Sequence, residues 1–209
     1  QRSTPSPVMH MVVHAASGRI FTGHADGSVR IWRLSDFSLL QTRELHGGVV
    51  KAVAIDPVRQ LYASSGADGG VYVFDESGPA RQLESPPLDA WTLAFSPDGQ
   101  SLYGGSWFRL FRWTLSDGSI EVLSTRHHGI IRSMQFLDGG RELATISRQT
   151  DSSVYFLEPR TGEVTREFQQ HELCGASIAV SRDGRYLGTT SDDASVRIWD
   201  LGSAGGPGR

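Results

Sequence analysis

The sequence predicts an all-β protein built from five copies of a four-stranded antiparallel sheet. The segment Asp26–Trp32 (DGSVRIW) recurs near the end of the chain as Asp193–Asp200 (DASVRIWD). In both copies apolar Val and Ile alternate with polar residues, as in a strand that buries one face. No segment shows the sustained 3.6-residue apolar period of an amphipathic helix.

The repeat has a regular period. The tryptophan that ends the motif, Trp32, has counterparts at Phe74, Trp113, Leu157 and Trp199, and we call these five the anchor positions. Their spacing of about 42 residues is typical of four-stranded propeller blades, and it is too long for leucine-rich, ankyrin or tetratricopeptide repeats. The sequence therefore predicts β-propeller blades.

Each repeat contains the same elements in the same order. An apolar entering strand leads through an acidic-glycine turn, such as Ser96–Gly99, into a second strand, and a third strand ends at the anchor position. Aspartate and glycine supply the local hydrogen bonds and the permissive φ angles of these turns. The predicted second strands are Leu61–Ser65, Ser101–Gly105, Glu142–Ile146 and Tyr186–Thr190. More polar fourth strands are predicted at Leu39–Glu44, Ile120–Ser124 and Val164–Gln169.

Composition and charge argue against several classes of protein. The chain has 209 residues, enough to bury a sizeable core, and its formal net charge of −3 does not suggest binding to nucleic acid or to an anionic membrane. A single cysteine, Cys174, excludes an internal disulfide and a multi-cysteine metal site. No apolar run approaches the roughly 18 residues of a membrane helix, so we expect no membrane insertion. The compartment stays open, with the cytoplasm favoured.

The histidines do not predict a metal site. His10 and His14 would lie about 13 Å apart along one strand. The adjacent His127 and His128 would point to opposite faces of an extended segment. We therefore expect no metal and no other cofactor.

The acidic residues and the cysteine do not predict catalysis. Each turn aspartate precedes its anchor position by six residues, where capping of a tight turn explains a carboxylate better than chemistry does. These aspartates are Asp26, Asp68, Asp151 and Asp193. Cys174 lies close to His171 in sequence, but no third residue is indicated that would orient the pair.

These repeats resemble those of the WD40-repeat family of β-propellers over nearly the whole chain, and the literal Trp-Asp ending occurs at Trp199-Asp200. In that family a blade often joins a His, a Ser or Thr, the turn Asp and the anchor Trp in one hydrogen-bonded set. The resemblance implies a full set in the fifth repeat: His171, Thr189, Asp193 and Trp199.

The other repeats match this set in part. The second has His46, Ser64 and Asp68 with Phe74 at the anchor position, and the fourth has His127, Thr145 and Asp151 with Leu157. The first has Thr22, Asp26 and Trp32, with Thr4 where the histidine would be. The third keeps only Trp113, and its shortened turn carries Trp107 where an aspartate would lie.

The predicted boundaries follow the repeats. We expect a leader at 1–7, blades at 8–45, 46–85, 86–126, 127–170 and 171–200, and a flexible glycine-rich tail at 201–209, with the last blade lacking its outer strand. An open row of blades leaves two apolar faces bare, which at about 500 Å² each corresponds to roughly 25 kcal/mol of unrealised burial. We therefore expect a segment of a larger propeller, seven-bladed by resemblance, whose remaining blades come from the parent chain or a second copy. Closure of five blades alone and a fused or oligomeric ring are the alternatives.

The resemblance also implies a binding face. Family members commonly bind peptides or proteins at the turn-side ends of the blades, through positions set by the scaffold histidine and the turn aspartate. Carried over to this chain, the predicted partner-binding residues are Lys51, Asp89, Trp91, Trp107, Arg132, Thr150 and Asp192. Further exposed positions would be Val49, Ala67, Ile130, Cys174 and Ala176.

We therefore expect a non-catalytic interaction scaffold that binds peptides or protein partners on a propeller face within a multiprotein complex. Exposed Trp and Arg favour this interpretation, because these residue types dominate interface energetics. One alternative is an enzyme or small-ligand-binding propeller that uses the central channel. Another is a purely structural segment that completes the propeller of a larger chain.

Overall fold

A computed structural model describes residues 4–56, 58–148, 152–168 and 171–202. Within these residues nineteen strands form five antiparallel sheets, of four, four, four, four and three strands. A 3-10 helix, Asp138–Gly140, occupies the turn between the first two strands of the fourth sheet. The all-β prediction and the five blade-type sheets are confirmed.

The strands follow the chain order within each sheet. The first sheet contains β1 (Val8–His14), β2 (Arg19–His24), β3 (Ser28–Arg33) and β4 (Leu39–Glu44). The second contains β5 (Val50–Ile55), β6 (Tyr62–Gly66), β7 (Val71–Phe74) and β8 (Arg81–Gln82). The third contains β9 (Thr92–Phe95), β10 (Ser101–Gly105), β11 (Arg109–Thr114) and β12 (Ile120–Ser124). The fourth contains β13 (Ile130–Leu137), β14 (Glu142–Arg148), β15 (Val154–Leu157) and β16 (Val164–Phe168), and the fifth contains β17 (Gly175–Val180), β18 (Tyr186–Ser191) and β19 (Val196–Asp200).

The predicted strands agree closely with the observed ones. Leu39–Glu44, Ser101–Gly105 and Ile120–Ser124 have the predicted bounds. The second strand of the second sheet is displaced by one residue, to Tyr62–Gly66, because Gly66 pairs with Val50 at the far end of β5. Residues 1–3 of the predicted leader, Gln169 of the last predicted outer strand and residues 203–209 of the predicted tail lie outside the described residues.

The chain divides into two compact units. The first comprises residues up to 104 together with 111–121, and the second comprises 105–110 together with the residues from 122 onward. No helix in the described ranges is long and apolar enough to cross a membrane.

In the first unit, the first two sheets pack face to face through their alternating apolar residues. Phe21, Val29 and Ile31 of the first sheet are buried against Val50 and Val53 of the second. Because successive strand residues point to opposite faces, Val29 and Ile31 lie on the same side of β3. Full burial of each such side chain contributes about 1.5–3 kcal/mol.

Beyond that layer, the first unit continues with a second apolar cluster. Val71 and Val73 of β7 pack with Leu93 and Phe95 of β9, and Trp113 completes the cluster. The second sheet therefore buries apolar residues on both of its faces.

The second unit repeats the same arrangement. Val154 and Phe156 of β15 are fully buried and pack with Ile178 of β17 and Leu187 of β18. Phe168 stacks on Trp199 with ring centroids 4.8 Å apart. In the second unit too, the apolar residues that alternate along the strands pack the fourth and fifth sheets against each other.

Candidate functional site

The fifth sheet contains a hydrogen-bonded chain of four side chains. The Trp199 indole Nε1–H donates to Thr189 Oγ1 (3.0 Å), and Thr189 Oγ1 lies 2.9 Å from His171 Nε2. On the other side of the ring, His171 Nδ1 lies 3.2 Å from Asp193 Oδ2. With the imidazole proton on His171 Nδ1, Thr189 Oγ1 can donate to Nε2. Both ring nitrogens, the hydroxyl and the indole N–H of this four-residue network then have a partner. The aspartate also caps its own turn, accepting a hydrogen bond from Ser195 N (2.8 Å).

The second sheet has a shorter version of this network. His46 Nε2 lies 2.9 Å from Ser64 Oγ, and His46 Nδ1 lies 3.0 Å from Asp68 Oδ1. Asp68 also accepts from Gly70 N (3.0 Å) and therefore caps the turn. Phe74, at the anchor position, cannot donate to Ser64 and instead stacks on Tyr62 with centroids 5.6 Å apart.

The fourth and third sheets depart further from the full set. His127 Nε2 lies 2.9 Å from Thr145 Oγ1, and the Tyr155 ring lies 4.7 Å from the His127 ring. Asp151 lies outside the described residues. In the third sheet the indole of Trp113 donates to the backbone carbonyl of Glu84 (2.8 Å).

The first sheet has a histidine that sequence analysis missed. His24 is fully buried, and its Nε2 lies 2.8 Å from Thr22 Oγ1, which also accepts from Trp32 Nε1 (2.8 Å). Thr4, the residue at the expected histidine position, instead donates to Ser6 O (2.6 Å). The available signal was the two-residue spacing of Thr22 and His24, which places both side chains on one face of a strand.

Burial of His46 predicts a pH-dependent stability. Desolvation lowers the pKa of its imidazole, although the hydrogen bond and the charge of Asp68 raise it. The folded-state pKa lies below the unfolded value of about 6.5, so the unfolded state binds the proton more readily. Stability is therefore full above pH 6.5 and falls as the pH decreases through that value. His24 acts in the same direction, because its burial also lowers its pKa.

Urea unfolding at pH 7 and pH 5 checks this prediction. We expect a lower free energy of unfolding at pH 5, with a slope of at most about 1.4 kcal/mol per pH unit for each histidine. The variant His46→Gln, which keeps a polar side chain near Ser64 and Asp68, should lose part of that slope. Equal slopes for the variant and the unsubstituted chain would contradict the assignment to His46.

Three of the predicted partner-binding residues lie together in the first unit. The Lys51 ammonium forms an ion pair with Asp89 and lies 3.9 Å from the centroid of the Trp91 ring. Lys51 comes from β5, whereas Asp89 and Trp91 lie just before β9. We call these three residues the Lys51 cluster. A cation held over an indole face and beside a carboxylate forms a polar site with an aromatic wall.

The other predicted partner-binding residues that the structure describes lie in the second unit. Trp107 forms an isolated β-bridge with Ile130, and Ile130 pairs with Arg148. Arg148 Nη2 lies 3.2 Å from Asp192 Oδ2. Burial lowers the pKa of Arg132, and the positive charge of Arg148 contributes to the same shift. Arg148 is a residue that sequence analysis missed, since no motif marks it, and Thr150 lies outside the described residues.

Exposure at the remaining predicted positions is mixed. Val49, Ala67 and Ala176 are exposed, and Cys174 is half-buried. The expectation that Ile130 is exposed is wrong, because its side chain is only 6% exposed at the start of β13. In the described part of the chain, His, Cys, Asp and Glu side chains do not form a group of three or more that could hold a metal ion.

The fold and the blade networks define a class of protein, the repeat proteins built from propeller blades. The family model described as "WD domain, G-beta repeat" matches residues 2–33, 37–75 and 162–200, which is more than half of the chain. The chain therefore belongs to the WD40-repeat family.

The chain is also similar in sequence to several individual proteins. The chain is 26% identical to human Striatin-4, in an alignment that covers 96% of this chain and 29% of that protein. It is 29% identical to the WD repeat-containing protein SL1-17 of Schistosoma mansoni, with 87% and 61% covered. It is 27% identical to the Periodic tryptophan protein 2 homolog of Dictyostelium discoideum, with 94% and 22% covered. The chain thus spans less than two thirds of the length of each of these relatives.

Proposed function

We propose that this chain is a non-catalytic interaction module that binds a peptide segment of a partner protein through the Lys51 cluster. The observation that carries the proposal is the convergence of Lys51, Asp89 and Trp91. The resemblance singled out each residue separately, and Lys51 of β5 contacts both Asp89 and Trp91, which lie just before β9.

The chemistry of the cluster suits a peptide of mixed charge. Asp89 is partly exposed, so a ligand Arg or Lys can pair with it. Lys51 is mostly buried, and a ligand carboxylate that approaches it would meet a cation already oriented by Trp91. The indole edge adds apolar contact area, and Trp is the residue type most enriched among interface hot spots.

Membership of the WD40-repeat family supports the same conclusion at a coarser level. One of the relatives named above is called a WD repeat-containing protein, and none of the three names is that of an enzyme. The polar side chains of the blades, such as His46 and His171, are engaged in networks within their own sheets. The Lys51 cluster is therefore the polar group that we assign to binding.

Selection from a random dodecapeptide library tests the proposal. We expect enriched peptides that pair acidic and basic residues and that bind the unsubstituted chain. Trp91→Ala should weaken the binding of those peptides by about 30-fold or more, because it removes the aromatic wall and releases Lys51. Isothermal titration calorimetry with one enriched peptide measures the change.

A matched control separates binding from folding. Phe37 is an exposed aromatic residue in the β3–β4 turn, and Phe37→Ala should leave both peptide affinity and melting temperature unchanged. The melting temperature of Trp91→Ala should stay close to that of the unsubstituted chain. Equal peptide affinity for Trp91→Ala and Phe37→Ala would show that the Lys51 cluster does not bind the peptide. A library that yields no specific peptide would favour the purely structural alternative.

A further inference from the structure

The ring nitrogen Nδ1 of the buried His24 lies between two groups that make opposite demands on it. Nδ1 is 3.1 Å from the carbonyl oxygen of Ser6 and 2.9 Å from Arg30 Nη1. A carbonyl only accepts a hydrogen bond and a guanidinium only donates one. Nδ1 must therefore carry a proton to bond with Ser6 and must lack one to bond with Arg30, so it can satisfy one of these two neighbours at a time.

The corresponding histidines of two other sheets do not face this choice. His46 Nδ1 lies 3.0 Å from the carboxylate of Asp68, and His171 Nδ1 lies 3.2 Å from that of Asp193. An ionised carboxylate only accepts a hydrogen bond, so in both sheets it favours the tautomer with the proton on Nδ1.

Strand register explains why the first sheet differs. Arg30 of β3 and Tyr72 of β7 occupy equivalent places, because each pairs with the residue whose hydroxyl contacts the histidine Nε2. The Tyr72 ring packs edge-on against His46, with centroids 5.1 Å apart. Arg30 instead directs a cationic donor at His24 Nδ1.

The other ring nitrogen of His24 has a partner in both neutral tautomers. With the proton on Nδ1, Nε2 accepts from Thr22 Oγ1 across 2.8 Å. With the proton on Nε2, the ring donates to that oxygen, and the Thr22 hydroxyl donates to Arg30 O (3.3 Å). The Trp32 indole donates to Thr22 Oγ1 in either case. Because Thr22 serves both tautomers, the contacts at Nδ1 decide between them.

The tautomer of His24 affects the segment that precedes β1. We call residues 4–7 the strap. Besides the bond from His24 to Ser6 O, two backbone N–H groups hold the strap: Ala25 N donates to Pro7 O (3.0 Å), and Asp26 N donates to Ser6 Oγ (3.1 Å). A proton on Nε2 removes one of these three hydrogen bonds and therefore weakens the attachment of the strap.

Arg30 has a second partner, which sets how strongly it competes for His24. Arg30 Nη2 lies 3.1 Å from Asp26 Oδ2. The side chain of Arg30 is 7% exposed, whereas that of Asp26 is 43% exposed. A basic group from outside can therefore reach Asp26 while Arg30 stays enclosed, and a cation that pairs with Asp26 leaves Arg30 to bond with His24.

We propose that His24 is a tautomeric switch that controls the strap. With the proton on Nδ1, the imidazole holds Ser6 and the strap is docked; with the proton on Nε2, the imidazole accepts from Arg30 and the strap is loosened. The proton that leaves Nδ1 is replaced by one at Nε2, so the net charge is the same in both states. Asp26 is the input, because a basic group that pairs with it releases Arg30 to His24. The proposal does not depend on the Lys51 cluster.

Long-range 1H–15N NMR measures the tautomer directly, because protonated and unprotonated ring nitrogens differ in 15N chemical shift. We expect both tautomers of His24 in the unsubstituted chain. Arg30→Met removes the competing donor and should raise the ratio of the Nδ1–H to the Nε2–H tautomer by about fivefold, as expected for one hydrogen bond. Asp26→Asn removes the charge that draws Arg30 away from the ring and should lower that ratio by about the same factor.

Hydrogen exchange of the Ala25 amide measures the strap, because this N–H donates to Pro7 O when the strap is docked. Exchange should slow by about threefold in Arg30→Met and accelerate by about threefold in Asp26→Asn. A general loss of stability would accelerate exchange in both variants, so the opposite signs distinguish the switch from simple destabilisation.

A matched control uses another arginine of the first sheet. Arg43 is half-buried on β4 and donates to Asp75 O, and Arg43→Met should leave both the His24 tautomer ratio and the Ala25 exchange rate unchanged. Asp26→Asn alters a partly exposed side chain, so it keeps the test decisive if Arg30→Met does not fold.

Three results would overturn the proposal. The first is a single His24 tautomer that is the same in the unsubstituted chain and in the variants. The second is an Ala25 exchange rate that moves in the same direction in Arg30→Met and Asp26→Asn. The third is a tautomer ratio that changes while Ala25 exchange stays constant, because the strap would then be held independently of His24.

Discussion

Replacing Trp113 with alanine should lower the free energy of unfolding by about 3–5 kcal/mol. The side chain is fully buried, and a Cβ on Gly104 would lie 2.8 Å from the indole, so the ring packs directly on backbone. Backbone that close cannot collapse into the cavity without disturbing β10. The substitution also removes the donor to Glu84 O, which leaves that carbonyl without its partner. Urea unfolding followed by circular dichroism measures the loss.

The variant Trp113→Phe separates the two contributions. Phenylalanine fills most of the volume but cannot donate to Glu84 O, so its cost should be only about 1–2 kcal/mol. A larger loss for Trp113→Ala than for Trp113→Phe would show that the cavity costs more unfolding free energy than the lost hydrogen bond. A loss below about 1 kcal/mol for Trp113→Ala would show that the third sheet does not depend on its anchor position.

The fold could be predicted from the sequence because the same pattern recurs. There are five anchor positions about 42 residues apart, and alternating apolar residues precede each of them. Because all five repeats predict the same sheet, a weak pattern in one repeat is supported by the others. The third repeat illustrates this, since it keeps only Trp113 of the expected polar set and still forms a four-stranded sheet. Apolar alternation, more than the polar set, therefore specifies a blade.

The side-chain contacts were harder to predict, because they depend on which atoms meet in space. His24, which hydrogen-bonds with Thr22, lies on β2 itself. The motif places the histidine before the entering strand, so its spacing does not indicate His24. Ile130 is buried at the start of β13, although the family positions place it among the exposed residues. The contact between Lys51 and Trp91 joins a residue of β5 to one just before β9, and its geometry follows from how the second and third sheets pack.

Replacing Thr189 with valine should lower the free energy of unfolding by about 2–3 kcal/mol. The side chain is fully buried and changes little in size, so the main loss is the hydroxyl. Without it, Trp199 Nε1–H loses its acceptor and His171 Nε2 loses its partner. Leaving a buried polar group unpaired costs about 1–3 kcal/mol. Thermal and urea unfolding of the variant measure the effect.

Two comparisons test whether the loss comes from the network. Thr190→Val changes the same residue type one position further along β18, where the side chain points to the opposite face, and should shift stability by no more than about 0.5 kcal/mol. Trp199→Phe removes the indole donor, so combining it with Thr189→Val removes the same hydrogen bond twice. The double variant should therefore lose less than the two single losses added together, by about 0.5–3 kcal/mol. Strict additivity would mean that Thr189 and Trp199 stabilise the fifth sheet independently, and the hydrogen bond between them would then contribute nothing measurable.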